Sequence, residues 1–574
     1  MTDLQWQDLL RVIGGELLDP LPVGLIVDSP WLPGWAGVSM LDYFADERVW
    51  LEANLRAVRR FEGISLLPCV ANPYGAKAGG AVGFGYRADV CPRRSGRNKQ
   101  EDGRMESMPK LDRDLFRAEM RVELDRVLQE VTDAVDEALP GRVIRDSEEK
   151  ARDALDRFRK TAYEKALQLK IDVAEAAFPG PVNTTTGKRH RHKGRQEYSV
   201  LTINGRLRLF RTRWHDAQES SSTPADAWLD EAEATISAGV REMACRVNQN
   251  ASSFLTAAEM LARAAHLDLS KESLRQLVEG EGRAVQQAMQ QAELTPAWSA
   301  TECQTEQGTT RVYAGCDGVK VPLVTNAEKQ KRRTKVKAKR RRCGHKCQPL
   351  PRAKTGADNA YKEFKVGYLY SETKEQRYVG VTAGNHEAAG RMLRRMSDQI
   401  GLLAAEERVG LIDGAPWIRN QFELHGLVTD LGLDFYHLQD NIQKARRGVF
   451  GEDSSEGQTW LQELLHTFKH EGYNTAWDSL TAWRGRLRSP AKRSAANQLM
   501  QYVAERKEMI RYPEFIEHHW QIGSGPTESE CKTTTHRVKH RGRRWDSQNA
   551  EAMMALAALH DSGMWNQHWT TLAI

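Results

Sequence analysis

Between residues 109 and 178 apolar side chains recur at helical spacing. Leu115, Met120, Leu124, Val127 and Val131 fall on one stripe, the period expected of a helix with one face against a core. Pro140-Gly141 interrupts the pattern, and a second helix is predicted from near Ser147 to just before Pro179-Gly180, giving a helical hairpin. The period then drops to two in YSVLTINGRLRLFRTRW, residues 198–214. Asn204-Gly205 at its centre predicts a β-hairpin closed by a type I′ turn. Helical spacing returns from about Asp226. The segment SFLTAAEMLARAAHLDLSKESLRQLVEGEG, residues 253–282, divides into two short helices joined by HLDLS, with Ala257, Ala258, Leu261 and Ala262 set to pack on Leu274 and Leu277. A plain helical hairpin and a helix-turn-helix both fit. The second would offer Lys271, Ser273, Arg275 and Gln276 to a DNA groove.

Beyond residue 300 strands and helices alternate. RVYAGCDGVKVPLV (311–324) reads as a strand running into Asp317-Gly318, and EFKVGYLYSE (363–372) and RYVGVTAG (377–384) as two strands that pair with it. A helix, GRMLRRMSDQIGLLAAEE, leads to a fourth strand in RVGLIDGAPWIR that ends at Asp413-Gly414. LDFYHL (433–438) is predicted to be a further strand, a helical insertion follows over about 456–511, and Glu528 falls near the start of a last helix. Three meandering strands, a helix, a fourth strand and a later acidic helix make the order of an RNase H-like fold. The expected fold class is therefore an α/β RNase H-like catalytic core with mostly α-helical insertions and an amino-terminal helical, DNA-binding region. The expected domains are 1–104, 105–195 (helical hairpin), 196–300 (β-hairpin plus helix-turn-helix-like region) and 301–574 (catalytic core).

The first 90 or so residues have a different texture, rich in Pro, Gly and Trp. VDSPWLPGWAGVSMLDYFADERVWLEANLRAVRRFEG (27–63) and LLPCVANPYGAKAGGAVGFG (66–85) resemble the amino-terminal part of the uroporphyrinogen decarboxylase-like family. That family's (β/α)₈ barrel must close to bury its core, and the resemblance stops after about its first quarter, so decarboxylase or methyl-transfer chemistry is not expected. RRSGRNKQEDGRMESMPK reads as a junction with Met105 or Met108 as an internal start. A read-through fusion is the expected origin of this segment, with an authentic accessory domain as the alternative.

At 574 residues, with 40% hydrophobic and 28% charged residues, the chain has the composition of a globular protein of several units. No apolar run is long enough for a membrane span. MTDLQWQDLL lacks a basic region followed by an apolar one, so no secretory signal is expected. Eight scattered cysteines suggest no disulfide framework, and a cytoplasmic, nucleoid-associated protein is expected. The net charge is only +6, but KQKRRTKVKAKRRR (329–342), THRVKHRGRRW (535–545) and GKRHRHKGR (187–195) concentrate it. Three such runs point to a polyanion, because each phosphate neutralised releases counterions.

A lone Asp-Gly at a strand end is usually a turn, but here two lie at the ends of strands that the expected fold makes neighbours. The glycines are consistent with close backbone approach to a bound phosphate. Gly523-Ser524-Gly525, Glu528, Lys532, Arg537-x-Lys539 and Trp545, with LIDGAPWI (411–418), Asp317-Gly318 and the Asp434-Phe435-Tyr436-His437 run, resemble the ISKra-type insertion-sequence transposases, a DDE group. The resemblance covers roughly residues 110–570. It implies that Asp317, Asp413 and Glu528 form a catalytic, metal-binding triad, with Glu530 the local competitor for the third place. Two Mg²⁺ or Mn²⁺ ions, about 4 Å apart, would be the cofactors, since hard cations take oxygen ligands. Asp434 and His437 are expected on a core strand beside the site. Lys532, Arg537, Lys539, Arg543, Arg544 and Trp545, with Lys271, Arg275 and Gln276, are the expected DNA-binding residues.

The implied activity is cleavage of a phosphodiester at an element end and attack of the freed 3′-hydroxyl on target DNA, with double-stranded DNA as partner and a homo-oligomer on it. The sequence departs from that family after the hairpin, where RTRWHDAQESSSTPAD has no Cys-x-x-Cys; Cys343, His345 and Cys347 make a poor zinc signal, and zinc is not expected. An ATP-binding loop of the form G-x-x-x-x-G-K-[ST] is absent. The alternative is a decayed or domesticated transposase that only binds DNA.

Overall fold

The computed structural model describes residues 110–572 apart from 184–185, 217–219, 228, 230–234 and 344–353. In the first hundred residues it describes two strands and a few positions between them. The chain divides into two units, residues 1–99 and 100–574. In the first, β1 (Val23–Val27) and β2 (Ile64–Pro68) pair in parallel, Val23 opposite Ile64. Parallel neighbours need a crossover of a dozen or more residues, which 28–63 supplies. The proposed junction over residues 93–110 lies, but for Lys110, outside the described residues.

The second unit opens on α1 (Arg113–Asp136) and α2 (Val143–Ala176). The Asp112 carboxylate caps α1 by accepting from the backbone N–H of Asp114 and Leu115, satisfying donors that a helix start leaves bare. Met120, Val127 and Ala134 are buried at seven-residue intervals, the spacing of a seam between two helices. Leu115, assigned above to the buried stripe, is instead exposed. Next come β3 (Arg191–Thr202), β4 (Gly205–Asp216) and the short β5 (Ser220–Ser222). Tyr198, Val200, Leu207 and Leu209 of the hairpin pack with Ile171 of α2 in a core of their own. The hairpin is as expected but its turn is not. Thr202 pairs with Gly205, so the loop residues are Ile203 and Asn204, and the positive φ of 104° falls on Gly205. A type I′ turn would put Asn204 at positive φ.

Helices α3 (Ala238–Asn250), α4 (Phe254–Ala265) and α5 (Lys271–Gln290) follow. Ala257, Ala258, Leu261 and Leu274 are buried, while Ala262 is exposed. The remainder is a mixed α/β core. Its strands are β6 (Arg311–Pro322), β7 (Tyr361–Ser371), β8 (Arg377–Thr382), β9 (Glu407–Ile412) and β10 (Asp430–Leu433). A basic helix, α6 (Asn326–Arg342), lies between β6 and β7; α7 (His386–Ile400) joins β8 to β9, and α8 (Pro416–His425) joins β9 to β10. The sheet order is β10-β9-β6-β7-β8. β7 pairs antiparallel with both β6 and β8, β9 pairs parallel with β6, and β10 parallel with β9.

The chain then forms α9 (Phe435–Phe450), α10 (Ser455–His470), α11 (Tyr473–Arg486), α12 (Pro490–Glu505), α13 (Tyr512–Glu517), α14 (Gly525–Lys539), α15 (Ser547–Asp561) and α16 (Trp565–Leu572). The expected helical insertion is thus three helices. The predicted strand at 433–438 is overturned: β10 ends at Leu433, and Asp434 caps α9 by accepting from the His437 N–H at 2.8 Å. An Asp followed by an apolar run serves a helix start as well as a strand, and the cap decides it. No helix among the described residues is long and apolar enough to cross a membrane.

One close approach sets the distance between the sheet and α14. A Cβ on Gly315 of β6 would lie 1.9 Å from Thr527 Oγ1 of α14, and Thr527 is buried. Only hydrogen at position 315 lets the helix lie this close to the strand. Gly315→Ala should therefore destabilise the protein by about 1–3 kcal/mol through overpacking, read as the shift in a urea unfolding midpoint. Adding Thr527→Ala should recover part of that loss, the coupling expected of residues in contact.

Candidate active site

Asp317 lies on β6 and Asp413 follows the last residue of β9. These strands pair in parallel with a constant offset, from Arg311 opposite Glu407 to Ala314 opposite Gly410. Carried three residues past the last paired position, that offset sets Asp317 level with Asp413. Neighbouring strands stand about 4.8 Å apart, so the register alone brings the two carboxylates to one edge of the sheet. Asp317 Oδ1 accepts from the Gly318 N–H at 2.5 Å, and Asp413 Oδ1 accepts from the Ala415 N–H at 2.8 Å. Gly414 has φ +85°, and a Cβ there would meet Arg506 Nε at 2.6 Å. Arg506 Nε donates to the Gly414 carbonyl at 3.1 Å. A Cβ at Gly318 would meet the Glu363 side chain. Both glycines thus admit side chains of this protein, which accounts for them without a bound phosphate.

Glu528 comes from the first turn of α14. Its placement depends on Asp434, which is fully buried. The second oxygen of that carboxylate accepts from both the backbone N–H and the hydroxyl of Ser524, the latter at 2.6 Å. The Phe435 N–H donates to the Ile522 carbonyl at 2.9 Å. The starts of α9 and α14 are therefore bound together, and His437 Nε2 on α9 lies 3.6 Å from Glu528 Oε1 on α14. Glu530, the competitor, is buried and turned elsewhere. Burial, and then the carboxyl of Asp561, push it up to about 7. Successive residues on a helix point 100° apart, so 528 and 530 cannot share a face.

An open cleft joins these groups. Asp317, Lys320, Tyr436, His437, Asp440 and Glu528 line it, with Lys532 and Lys539 of α14. The Asp317 carboxyl is raised above the ordinary range, first by burial and further by the charges of Asp413 and Glu528, against the opposing pull of the Gly318 N–H and His437. Asp413 is not among the lining residues. It acts on Asp317 from the neighbouring strand end, and with burial and Asp434 it helps push the Tyr502 hydroxyl up to about 12.

The donor set suits a hard divalent cation: oxygen ligands, mutually repelling, one half-buried. Among the described residues, however, no three His, Cys, Asp or Glu side chains stand close enough to hold an ion as they are. The three acids share a field but do not form a closed cage.

The expected DNA-binding residues separate into two sets. Lys271, Lys532, Lys539 and Arg544 are exposed, although Arg544 is paired with Glu328 at 2.7 Å. Arg275 is held by Glu272 and Glu279, both at 2.5 Å, and Gln276 donates to Glu272 at 3.1 Å. Arg537 and Trp545 are interior. Arg537 donates to the carbonyl and side-chain oxygens of Asn248, both at 3.0 Å, and burial lowers it to about 10. The Trp545 indole donates to the Val538 carbonyl at 3.1 Å, so it seals the end of α14 and does not present a stacking face. Arg543 donates to the Arg537 carbonyl at 3.1 Å. Basic composition does not separate a cation that packs inward from one that faces solvent.

Lys320, Tyr436 and Asp440 are cleft residues that the sequence reading missed. The signal for Asp440 was its spacing of three from His437, which puts both on one face of a helix and is invisible while 433–438 is read as a strand. Cys343 is exposed at the end of α6, while His345 and Cys347 lie outside the described residues.

No family model matches the chain, and no curated protein matches it. Among solved structures it is similar to a chain of the Drosophila P element transposase strand transfer complex, at 8% identity and a TM-score of 0.21, over 59% of this chain and 82% of that one. At that level the likeness carries no argument about activity.

Asp434→Ala should remove a helix cap worth about 1 kcal/mol and charge-assisted hydrogen bonds worth about 1.5–3 kcal/mol. Unfolding at a midpoint several degrees lower, with Asp434→Asn intermediate, is the expected result of a thermal melt.

Proposed function

We propose that this chain is a transposase of the DDE kind, cutting and joining DNA at a carboxylate site built from Asp317, Asp413 and Glu528 on an RNase H-like core. The observation that carries the reading is that Asp413 and Glu528, from two distant segments, lie near enough to Asp317 for their charges to raise its carboxyl. The strand order, with three antiparallel strands followed by two parallel to the first, supports the RNase H-like assignment. The ISKra-type motifs quoted above supply the name of the activity.

Asp317, Asp413 and Glu528 would hold the cations. When bound, these would offset the charge of the attacking and leaving oxygens in an in-line displacement at phosphorus. The chain's own groups do the rest. Lys320, Lys532 and Lys539 give the cleft a cationic rim for the phosphates on either side of the scissile bond. His437, beside Glu528, can take or give a proton at Nε2 and orient that carboxylate. A second reading, a chain that binds DNA without cutting it, is favoured by the open spacing of the three acids.

Replacing Asp317, Asp413 or Glu528 singly by Ala should abolish Mg²⁺- or Mn²⁺-dependent nicking of element-end DNA while binding in a gel-shift assay persists. Nicking that survives in all three variants overturns the mechanism. A wild type that binds but never nicks with either ion selects the second reading.

Stability gives an independent check. A carboxyl raised in the folded state binds its proton more tightly folded than unfolded, so its ionisation opposes folding. The penalty is absent below the unfolded value, near 3.9, and grows as pH rises through the folded one. Asp317→Asn should therefore melt higher than wild type at pH 7 without divalent ions, with the gain shrinking toward zero as pH falls below about 4. A constant gain at all pH values would mean that ionisation of Asp317 is not its source.

A further inference from the structure

Helix α6 places no side chain of its own in a core. None of its residues is buried; ten of its seventeen residues are Lys or Arg, and Glu328 is its single acid. With about 3.6 residues per turn, Lys331, Lys335 and Lys339 lie along one side and Lys329, Arg333 and Lys337 along the other, so positive charge surrounds the axis. Like charges three and four residues apart destabilise a helix, and α6 repeats that arrangement throughout its length.

Its root, by contrast, is firmly held. Thr325 and Glu328 form a capping box, Arg544 pairs with Glu328 at 2.7 Å, and Lys329 pairs with Asp546 at 2.5 Å. The Val324 N–H donates to the Trp545 carbonyl at 2.9 Å, and Trp545 is buried. The arm is therefore fixed at one end to the strand that carries Asp317 and to the turn that follows α14.

We propose that α6 is a phosphate-gripping arm that lies along the backbone of duplex DNA beside the cleft. This rests on the reading of the substrate as DNA given above. Charge surrounds the axis, and of the helix's amide and hydroxyl side chains Asn326 accepts from the Gly356 N–H at 2.6 Å and Thr334 donates to the Gln330 carbonyl at 3.0 Å, which suits sequence-independent backbone contact and not base reading. Eight residues of extended chain separate Asp317 from Thr325, roughly 26 Å. At about 3.4 Å per base pair the root of α6 meets the duplex within one helical turn of the bond held at the carboxylates. The polyanion removes the helix's self-repulsion, so DNA binding and helical order rise together.

The test uses the full chain and a duplex of about 30 base pairs, without divalent cations, by fluorescence anisotropy over a range of salt. Lys331→Gln, Lys335→Gln and Lys339→Gln combined should flatten the plot of log affinity against log salt by roughly three, near 0.9 for each phosphate no longer neutralised. Affinity should fall by ten-fold or more while the melting temperature stays the same. A second variant, Arg341→Gln with Arg342→Gln, should flatten it by roughly two. Amide exchange over 326–342 should slow when duplex is added. Unchanged affinity and slope in both variants overturn the proposal, as does exchange slowed by phosphatidylserine vesicles and not by duplex. Because cleavage is not measured, a chain that never nicks DNA but binds it more weakly in these variants would sink the proposed chemistry and keep the arm. A chain that nicks normally and binds as before with the variants would do the reverse.

Discussion

The candidate site depends on one buried negative charge that is not itself a candidate ligand. Taking the carboxylate of Asp434 out of water is expensive unless donors surround it, and the fold supplies them from two elements. His437 gives a backbone N–H, and Ser524 gives a backbone N–H and a hydroxyl. The Asp434 N–H in turn donates to the Ile412 carbonyl at 2.8 Å, one residue before Asp413. A single residue thus ties the end of β9, the start of α9 and the start of α14. Two of the three acids hang within a few residues of that knot. The third, Asp317, is brought to it by strand register.

The far end of the sheet is pinned by a charge of opposite sign. Arg311, on the first residue of β6, is buried. It donates to Glu407 on β9 at 2.5 Å, to Glu372 just past β7 at 3.0 Å, and to the carbonyls of His518 and His519 at 3.1 and 3.2 Å. Charge-assisted, forked contacts of this kind fix orientation as well as position. With β6 and β9 held at Arg311, neither strand can slip against the other. A slip by one residue would turn Asp317 to the opposite face of the sheet. Register at one end therefore determines which side chains meet at the other.

What could be read from the chain follows from this division of labour. Strand runs, helix runs and their order depend on local periodicity, and β6 to β9, the β-hairpin and the paired helices α1 and α2 were legible for that reason. The segment 433–438 was not, because Leu-Asp-Phe-Tyr-His-Leu fits both periods. Its helical state is settled by a cap whose second partner, Ser524, lies ninety residues away. The same limit applies to Arg537 and Trp545. Their charge and aromaticity were visible, but whether they face inward depends on Asn248 and Val538. The glycine after each Asp was legible as a close approach. That the visitors are Glu363 and Arg506 was not.

The electrostatics of the site are unbalanced. Buried Asp434 is matched by donors and half-buried Glu407 by Arg311, while buried Glu530 faces the carboxyl of Asp561. Asp317 has only the Gly318 N–H and the field of His437 against burial and two neighbouring acids. A fold that could relax this conflict by moving the acids apart would do so. Here the three are carried by segments anchored at Asp434 and by strands pinned at Arg311, so separation would break buried charge-assisted contacts. Two remedies remain, a proton or a cation. Local conflict that the surrounding structure enforces is what singles out this edge as the candidate site. It is also why a cation at this edge would stabilise the folded chain while drawing together acids that stand short of a closed cage.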